Sequence, residues 1–330
     1  MEIGNWLRNW KLEIGKRNKG FTLTELLVAL GILVIVITPL IVALVKNNKF
    51  IIKNKEKLIA ESVASKEIEI LRNMAYDDLG TDLGNPHGEI ESKPAPETVA
   101  GISFQTEIKI SYVLDPYDGI YPPNDMYYLD YKKVEVASYP VNNLSSKVTL
   151  TTNIAPQGPE TPTNTGLIEV VVNDANGDPV PEADIEITNT GIISPIITQT
   201  LINGTQLIPA LPPADNYHIV VSKTGYNSAQ TYPESAENTI PDPGDQSVLL
   251  LQVTSISFGI DLLSSMTINT VDVNGAPILE PVSFAIHGEK TIGTYVDPLG
   301  AEFPVYKYNS TQTTSSGSLN FTDMEWDSYT

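Results

Sequence analysis

A single carboxylate inside an apolar segment is the residue whose chemistry stands out in this sequence. Residues 21–45 form a run of twenty-five residues in which Glu25 is the only ionisable side chain. A carboxylate in the hydrocarbon core of a membrane costs on the order of 2.5–3.5 kcal/mol, so it normally has a partner. Cleavage between Gly20 and Phe21 would create such a partner, a free α-amino group. The chemistry indicated is therefore an amine–carboxylate ion pair.

The remaining sequence offers little catalytic chemistry. It contains no cysteine, which excludes disulfides, thiolate metal sites and thiol nucleophiles. The three histidines, His87, His218 and His287, are far apart in sequence, and each is interpreted as a structural or solvated residue. Neither a Gly-x-Ser-x-Gly motif nor a glycine-rich phosphate loop occurs. The sequence therefore predicts a protein that is not an enzyme and that has no cofactor, catalytic residue or metal site.

An acidic, tyrosine-rich stretch over residues 115–130 is the strongest alternative to that expectation. Several carboxylates on one loop can hold Ca²⁺, which takes about six to eight oxygen ligands. The spacing is not that of an EF-hand, and a solvated loop is the favoured interpretation. The four carboxylates are Asp115, Asp118, Asp125 and Asp130.

Three aromatic residues are candidates for stacking on sugars or on a protein partner. They are Tyr127, Tyr128 and Trp326. Packing in a core or between strands is the favoured interpretation of all three, because large aromatic side chains are mostly used in this way. The ligand of the distal part of the chain therefore stays open.

The distribution of charge indicates a membrane rather than a nucleic acid. Forty acidic residues against twenty basic ones give a net charge of −20, so most of the surface repels phosphate. Five basic residues lie within the first twenty, directly before the apolar run. A basic segment followed by a long apolar one is typical of membrane insertion.

The apolar run itself is long enough to span a bilayer. Twenty-five helical residues extend about 37 Å, and a hydrocarbon core is about 30 Å thick. Five lysines between residues 46 and 57 follow the run, so counting charges leaves its orientation open. The run is too long for a secretory signal peptide, and no Ala-x-Ala site follows it. Pro39 either kinks the helix or is tolerated through neighbouring helices.

The stretch Gly20-Phe21-Thr22-Leu23-x-Glu25, followed by about twenty apolar residues, resembles the class III signal of type IV pilins and pseudopilins. In that family a membrane-embedded prepilin peptidase cuts after the glycine and methylates the new N-terminal phenylalanine. The resemblance implies cleavage between Gly20 and Phe21, N-methylation of Phe21, and pairing of Glu25 with the amine of a neighbouring subunit. Residues 1–20 are then a cytoplasmic leader, which is longer than in many pilins.

Beyond the membrane, the pattern predicts a helical stalk and an α+β head within residues 46–155. Apolar residues continue at helical spacing, so the helix is expected to run from Phe21 to about Tyr76. Alternating segments at residues 101–114, 127–138 and 147–154 predict antiparallel strands packed against it. The stretch from Asp130 to Val136 and the strand after it resemble the heads of minor pilins of the modification-protein type.

Two β-sandwiches are predicted after the head, each preceded by a Pro-rich linker at residues 156–165 and 233–246. Short alternating strands separated by Gly, Pro and Asn turns predict the first sandwich at residues 166–232. Its turn, residues 176–179 (NGDP), recurs at residues 274–277 (NGAP), which places a second copy at residues 247–330. Both copies resemble the carboxypeptidase regulatory-like family, a transthyretin-like sandwich that serves as a structural appendage.

The second copy is expected to be incomplete. After Tyr217 the first copy continues as HIVVSKTGY, whereas the sequence reaches Thr330 one residue after the matching Tyr329. A sandwich without its last strand exposes an unpaired edge. On this basis the sequence is expected to be part of a longer protein.

The overall expectation is a multi-domain protein with a long N-terminal membrane helix, an α+β pilin-like head and all-β sandwich modules. The resemblance implies a minor subunit of a type IV pilus whose partners are prepilin peptidase and other pilins. The subunit would sit in the cytoplasmic membrane with its N-terminus in the cytoplasm, and then in an extracellular filament that presents the sandwiches to a glycan or protein ligand. A type II secretion pseudopilin and a non-assembling single-pass surface adhesin are the alternatives.

Overall fold

The computed structural model describes residues 22–117, 119–158, 164–193 and 195–330. The chain divides into two compact units, Met1–Leu58 and Ile59–Thr330. The predicted leader, residues 1–20, and Phe21 lie outside the described residues.

One long helix, α1, covers Leu23–Arg72. It begins two residues after the predicted start and ends four residues before the predicted end. Side chains from Leu23 to Val45 are all exposed, and an 18-residue window in the helix has a mean hydropathy of 3.1. Thr38 Oγ1 donates a hydrogen bond to the Val34 carbonyl at 2.8 Å, directly before Pro39. By length and composition this helix can cross a membrane.

The last third of α1 has a different character because one of its faces is buried. The buried residues lie three or four positions apart along the helix, with Val63 and Ala64 adjacent, and are inaccessible or nearly so: Ala60, Val63, Ala64, Ile68 and Leu71. This spacing puts them on one side of the helix, where they pack on the head. Of the apolar residues expected at helical spacing, Val63 and Leu71 lie on this buried face, whereas Ile52 and Ile70 are exposed.

The head is a four-stranded antiparallel sheet in the order β1-β2-β3-β4. Ile108 and Ile110 on the second strand and Val134 and Val136 on the third form a core with the buried face of α1. The expectation of an α+β head is confirmed, with one additional short strand at its edge. The strands are β1 (Glu97–Val99), β2 (Ile102–Val113), β3 (Tyr131–Pro140) and β4 (Val148–Ile154).

Lys132 on β3 is a buried cation in the head, with only 3% of its surface exposed. Its Nζ donates to the carbonyls of Tyr76 and Leu79 at 2.7 and 2.8 Å, and lies 4.5 Å from the centre of the Tyr76 ring. Burial lowers the pKa of Lys132 to about 8, although Asp77 and Asp78 act in the opposite direction. The amine thus ties β3 to the segment that follows α1.

The first sandwich is built from strands between residues 166 and 259. One sheet has the order β13-β5-β8, and the other has the order β10-β9-β6-β7, with β12 also paired to β9. The strands of this sandwich are β5 (Gly166–Asn173), β6 (Asp184–Thr188), β7 (Ile196–Gln199), β8 (Thr205–Leu211), β9 (Ala214–Ser222), β10 (Ala229–Gln230), β12 (Gln246–Val248) and β13 (Val253–Gly259). Strand β11 (Ile240–Pro241) lies in the same stretch of sequence but belongs to neither of these sheets.

The boundary expected between the sandwiches, at residue 247, needs a correction. Strand β13 runs parallel to β5 from the pair Val253–Leu167 to the pair Gly259–Asn173. Phe258 and its apolar neighbours are buried in the same core as β5 and β9. The physical reason is that β5 lies between β8 and β13, and would have an open edge without β13. The segment expected to be a linker, residues 233–246, also contains β11 and ends on the first residue of β12, and both strands pair with other strands.

The second sandwich begins after residue 260 and repeats part of the first. Strand β14 pairs with β19 as β5 pairs with β8, and β15 pairs with β18 as β6 pairs with β7. An inserted hairpin, β16–β17, pairs with β11. The strands are β14 (Ser264–Asn269), β15 (Val282–His287), β16 (Thr291–Val296), β17 (Glu302–Tyr306), β18 (Asn309–Thr314) and β19 (Ser318–Met324).

The repeated turn has the same structure in both sandwiches. Asp174 Oδ1 accepts hydrogen bonds from the amides two and four residues later, both at 2.9 Å. Asp272 Oδ1 does the same at 2.8 Å. Gly177 and Gly275 have φ values of 84° and 82°, a region that glycine enters without a Cβ penalty. The sequence repeat therefore reflects a structural repeat.

Replacing Phe258 tests whether β13 stabilises the first sandwich. Phe258→Ala removes a side chain that is only 4% exposed, and should lower the free energy of unfolding of this sandwich by about 3–5 kcal/mol. Native-state hydrogen exchange of the β5 amides should accelerate accordingly. Leu262→Ala is the control, because Leu262 is 61% exposed. Unchanged exchange in β5 would show that β13 does not belong to this core.

The pKa of Lys132 predicts how the stability of the head depends on pH. The unfolded lysine titrates near 10.5 and the folded one near 8, so the folded state loses its proton first as pH rises. The free energy of unfolding should therefore increase between about pH 8 and about pH 9.5. Hydrogen exchange of the head amides, measured at increasing urea concentrations, gives this free energy once the rates are corrected for the intrinsic exchange rate at each pH. Lys132→Met should abolish the increase and Lys133→Met should retain it; a flat wild-type profile contradicts the prediction.

Candidate processing and assembly site

Glu25 lies in the first turn of α1, where it forms a reciprocal pair of contacts with Thr22. The Thr22 amide and hydroxyl both donate to Glu25 Oε2, at 3.0 and 2.9 Å. The Glu25 amide in turn donates to Thr22 Oγ1 at 3.3 Å. This is a capping box, in which a threonine before the helix and a glutamate three residues later satisfy amides that have no partner in the helix.

The capping box fixes where the carboxylate is held. Thr22 is bonded directly to Phe21, and its amide already points at Glu25. The positive end of the helix dipole favours a negative charge at this position. Of the three predicted site residues, the structure places Glu25; Gly20 and Phe21 lie outside the described residues. The contribution of Thr22 was not predicted, although the spacing Thr-x-x-Glu could have indicated it.

Two of the three histidines take part in the packing of the sandwiches, and the third lies in the head region. His218 Nδ1 lies 2.9 Å from Asp245 Oδ1, which also accepts a hydrogen bond from the Thr231 hydroxyl at 2.7 Å. This group joins β9 to the segment before β12. The ring of His287 stacks on Tyr306 with 4.2 Å between centroids. His87 lies in a turn and forms a β-bridge with Thr81.

The carboxylates of the acidic loop are engaged with amides of the same loop. Asp130 accepts from the Asp115 amide, and Asp115 accepts from the Tyr117 amide. Asp125 Oδ1 accepts from the Tyr127 amide at 2.7 Å. Among the residues that the structure describes, no group of three or more His, Cys, Asp or Glu side chains could hold a metal ion. Asp118 lies outside those residues.

The three aromatic candidates lie in different environments. Tyr128 is fully buried and its hydroxyl is 2.7 Å from Thr165 Oγ1, so it packs between the head and the first sandwich. Tyr127 and Trp326 are exposed, and Trp326 has 63% of its surface accessible. Lys290 Nζ lies 5.4 Å from the centre of the Trp326 ring. The structure does not bring these aromatic residues together.

Comparison with known proteins identifies the N-terminal segment. Residues 15–41 match the prokaryotic N-terminal methylation motif. This range contains the predicted cleavage position, Glu25 and most of the apolar run. A search of curated proteins gives no match.

Three solved structures are similar in part. The Bacillus anthracis TIE protein is 12% identical over 72% of this chain, with a TM-score of 0.24. A variant of BcpA, the major pilin subunit of Bacillus cereus, is 17% identical over 40%, with a TM-score of 0.20. A streptococcal ancillary pilin is 13% identical over 61%, with a TM-score of 0.23. The chain spans 54%, 38% and 66% of these three structures, respectively.

The chain therefore carries the N-terminal methylation motif of type IV prepilins at the start of a long apolar helix. Together with the β-rich region, this motif supports a pilin-like surface subunit. The motif implies processing by a peptidase and assembly with other pilins. It also fits membrane insertion followed by a location in a pilus or at the cell surface.

The capping box can be tested by removing the Thr22 hydroxyl. Thr22→Ala should destabilise the first turn of α1 by about 1 kcal/mol, which corresponds to about fivefold faster hydrogen exchange of amides in that turn. The measurement uses the full chain in detergent micelles. Thr38→Ala is the control, because the Thr38 hydroxyl bonds to a carbonyl within the helix and caps nothing. Equal exchange rates in both variants would contradict the assignment.

Proposed function

We propose that this chain is a minor pilin-like structural subunit of a type IV pilus rather than an enzyme. Prepilin peptidase hydrolyses the bond between Gly20 and Phe21, and Phe21 is then N-methylated. One observation carries the proposal: Glu25, the single carboxylate of the apolar run at residues 21–45, lies beside Thr22, within a segment that matches the methylation motif.

Before processing, the apolar part of α1 holds the subunit in the cytoplasmic membrane. The five basic residues of the leader stay in the cytoplasm, since moving them through the hydrocarbon core is costly. The lysines that follow residue 45 would then be on the opposite side, near the membrane surface. The cleavage signal is thereby presented to a membrane-embedded peptidase.

Hydrolysis changes the electrostatics of the helix start. The new carboxylate on Gly20 leaves with the leader, and the new amine stays on Phe21 and carries a positive charge. This amine pairs with Glu25 of a neighbouring subunit, and Thr22 keeps that carboxylate oriented. Both charges lose solvation in the membrane, so the pair contributes little net energy. Its main effect is to fix the position of one subunit relative to the next.

The head and the sandwiches are the parts that the filament displays. Asn85 Nδ2 donates to the Pro209 carbonyl at 2.6 Å, and Tyr128 bonds to Thr165 at 2.7 Å. These contacts between the head and the first sandwich favour a rigid projection over a freely tethered module. The sandwiches are the part of the chain available for adhesion to a surface glycan or protein. Their acidic surface does not suit nucleic acids.

Two other functions fit the same N-terminal segment. A type II secretion pseudopilin is favoured less, because two further β units on the head would hinder a compact piston. A single-pass surface adhesin would need neither cleavage nor Glu25. Incorporation into sheared surface filaments distinguishes the pilus subunit from both alternatives.

Glu25→Ala tests assembly without disturbing the head. The variant should remain in the membrane with unchanged protease resistance of the region after residue 59, because Glu25 contacts only Thr22 among the described residues. Its amount in sheared filaments should fall at least about tenfold, since the neighbouring amine would be left unpaired. Thr24→Ala is the control variant in the same turn. Normal filament content of Glu25→Ala would contradict the proposed function.

A further inference from the structure

The segment of α1 that follows the apolar run has a high density of positive charge. Residues 46–60 contain five lysines and one carboxylate, Glu56, which gives a net charge of +4. The whole chain has a net charge of −20, so this segment has the opposite sign. It belongs to the same continuous helix as the part that can cross a membrane. The positive charge therefore lies where the helix meets the membrane surface.

Four of the five lysines share one face of the helix, which we call the lysine face. They follow one another at intervals of three or four residues, a spacing that places them within about 80° of the helix circumference. They are Lys46, Lys49, Lys53 and Lys57. Lys53 is partly exposed and the other three are exposed. Lys55, the fifth lysine, lies on the other side, about 160° from Lys53 around the helix.

The lysine face is unfavourable for the chain on its own. Lys49 and Lys53 are four residues apart, as are Lys53 and Lys57, and like charges at this spacing destabilise a helix. Positive charge after the apolar run also offsets the topological signal of the basic leader. An arrangement that opposes both helix formation and membrane topology calls for a compensating interaction.

The position of the lysine face indicates where that interaction comes from. At the rise of an α-helix, Lys46 and Lys49 lie about 2 and 6 Å beyond Val45, within a headgroup layer about 5–7 Å thick. Lys53 and Lys57 lie about 12 and 18 Å beyond it along the axis. The apolar run, about 37 Å long, exceeds a core of about 30 Å, and a helix accommodates such an excess by tilting. Tilting towards the lysine face brings all four ammonium groups to within about one Debye length of the headgroups.

The opposite face of the segment has a different character. Ile51 and Leu58 lie there, with 55% and 67% of their surfaces exposed. A protein partner gains most by covering apolar side chains of this kind. The lysine face offers charge, and Phe50 at its border has a ring that can enter the membrane interface. This division favours lipid phosphates over a polypeptide as the ligand of the lysine face.

We propose that the lysine face binds the phosphate groups of anionic phospholipids at the membrane surface. Anionic headgroups attract lysines beside a membrane span, and salt weakens the attraction by screening the charges. Zwitterionic lipids have no net charge and cannot neutralise the four lysines. The site requires only that α1 spans a membrane, so it stands for either orientation of the helix and whether or not the chain enters a filament.

The direct test uses the full chain in vesicles made of phosphatidylcholine and phosphatidylglycerol. Electron paramagnetic resonance with spin-labelled forms of the two lipids measures how strongly each is retained at the protein surface. The wild-type chain should retain phosphatidylglycerol at least about fourfold more strongly than phosphatidylcholine, because several lysines act together. High salt should remove most of this preference.

Two matched variants locate the binding. Lys53→Gln and Lys55→Gln remove the same charge at neighbouring positions on opposite sides of the helix, and glutamine has a helix propensity close to that of lysine. Lys53→Gln should lower the preference for phosphatidylglycerol at least about twofold, whereas Lys55→Gln should leave it nearly unchanged. Replacing all four residues of the lysine face by glutamine should abolish the preference.

Three results would overturn the proposal. The first is equal retention of the two lipids by the wild-type chain. The second is an equal loss of preference in Lys53→Gln and Lys55→Gln, which would mean that only the total charge matters. The third is the formation of carbodiimide cross-links, in native membranes, between the lysine face and carboxylates of another protein, which would assign this face to a protein partner.

Discussion

The position of Glu25 in an apolar helix is the constraint on which the account of this protein depends. A carboxylate there needs donors within reach, and the chain supplies two of them from Thr22. Hydrogen bonds orient the carboxylate but leave its charge uncompensated in a medium of low dielectric. An amine on Phe21 of a neighbouring subunit would compensate that charge. The proposed cleavage between Gly20 and Phe21 would create such an amine within the segment that matches the methylation motif.

Beyond the membrane, the chain is organised by strands that close the edges of sheets. The buried face of α1 covers the head sheet, and Lys132 ties β3 to the carbonyls after the helix. Strand β13 returns to close the first sandwich beside β5.

Local patterns predicted the elements, whereas pairings between distant residues could not be read from them. Helix α1 and strands β2 to β4 were predicted because their hydrophobic periodicity is strong and their neighbours are close in sequence. The alternation in β13 is equally clear, but it does not indicate which of two similar cores it fills. Lys132 lies in phase with the buried Val134 and Val136, on the face where an apolar residue is expected, and its long side chain reaches carbonyls more than fifty residues earlier. Thr22 was missed because its spacing from Glu25 lies within a segment already interpreted as a cleavage signal.

The N-terminus of the mature chain is the measurement that tests the central claim most directly. The chain would be purified from its native host in two fractions, the sheared surface filaments and the cells that remain. The N-terminal peptide of each fraction would be identified by mass spectrometry after proteolysis. The account predicts a peptide that begins with N-methylated Phe21, present in the filament fraction. Recovery of chains that still carry residues 1–20, with no methylated Phe21 in any fraction, would contradict it.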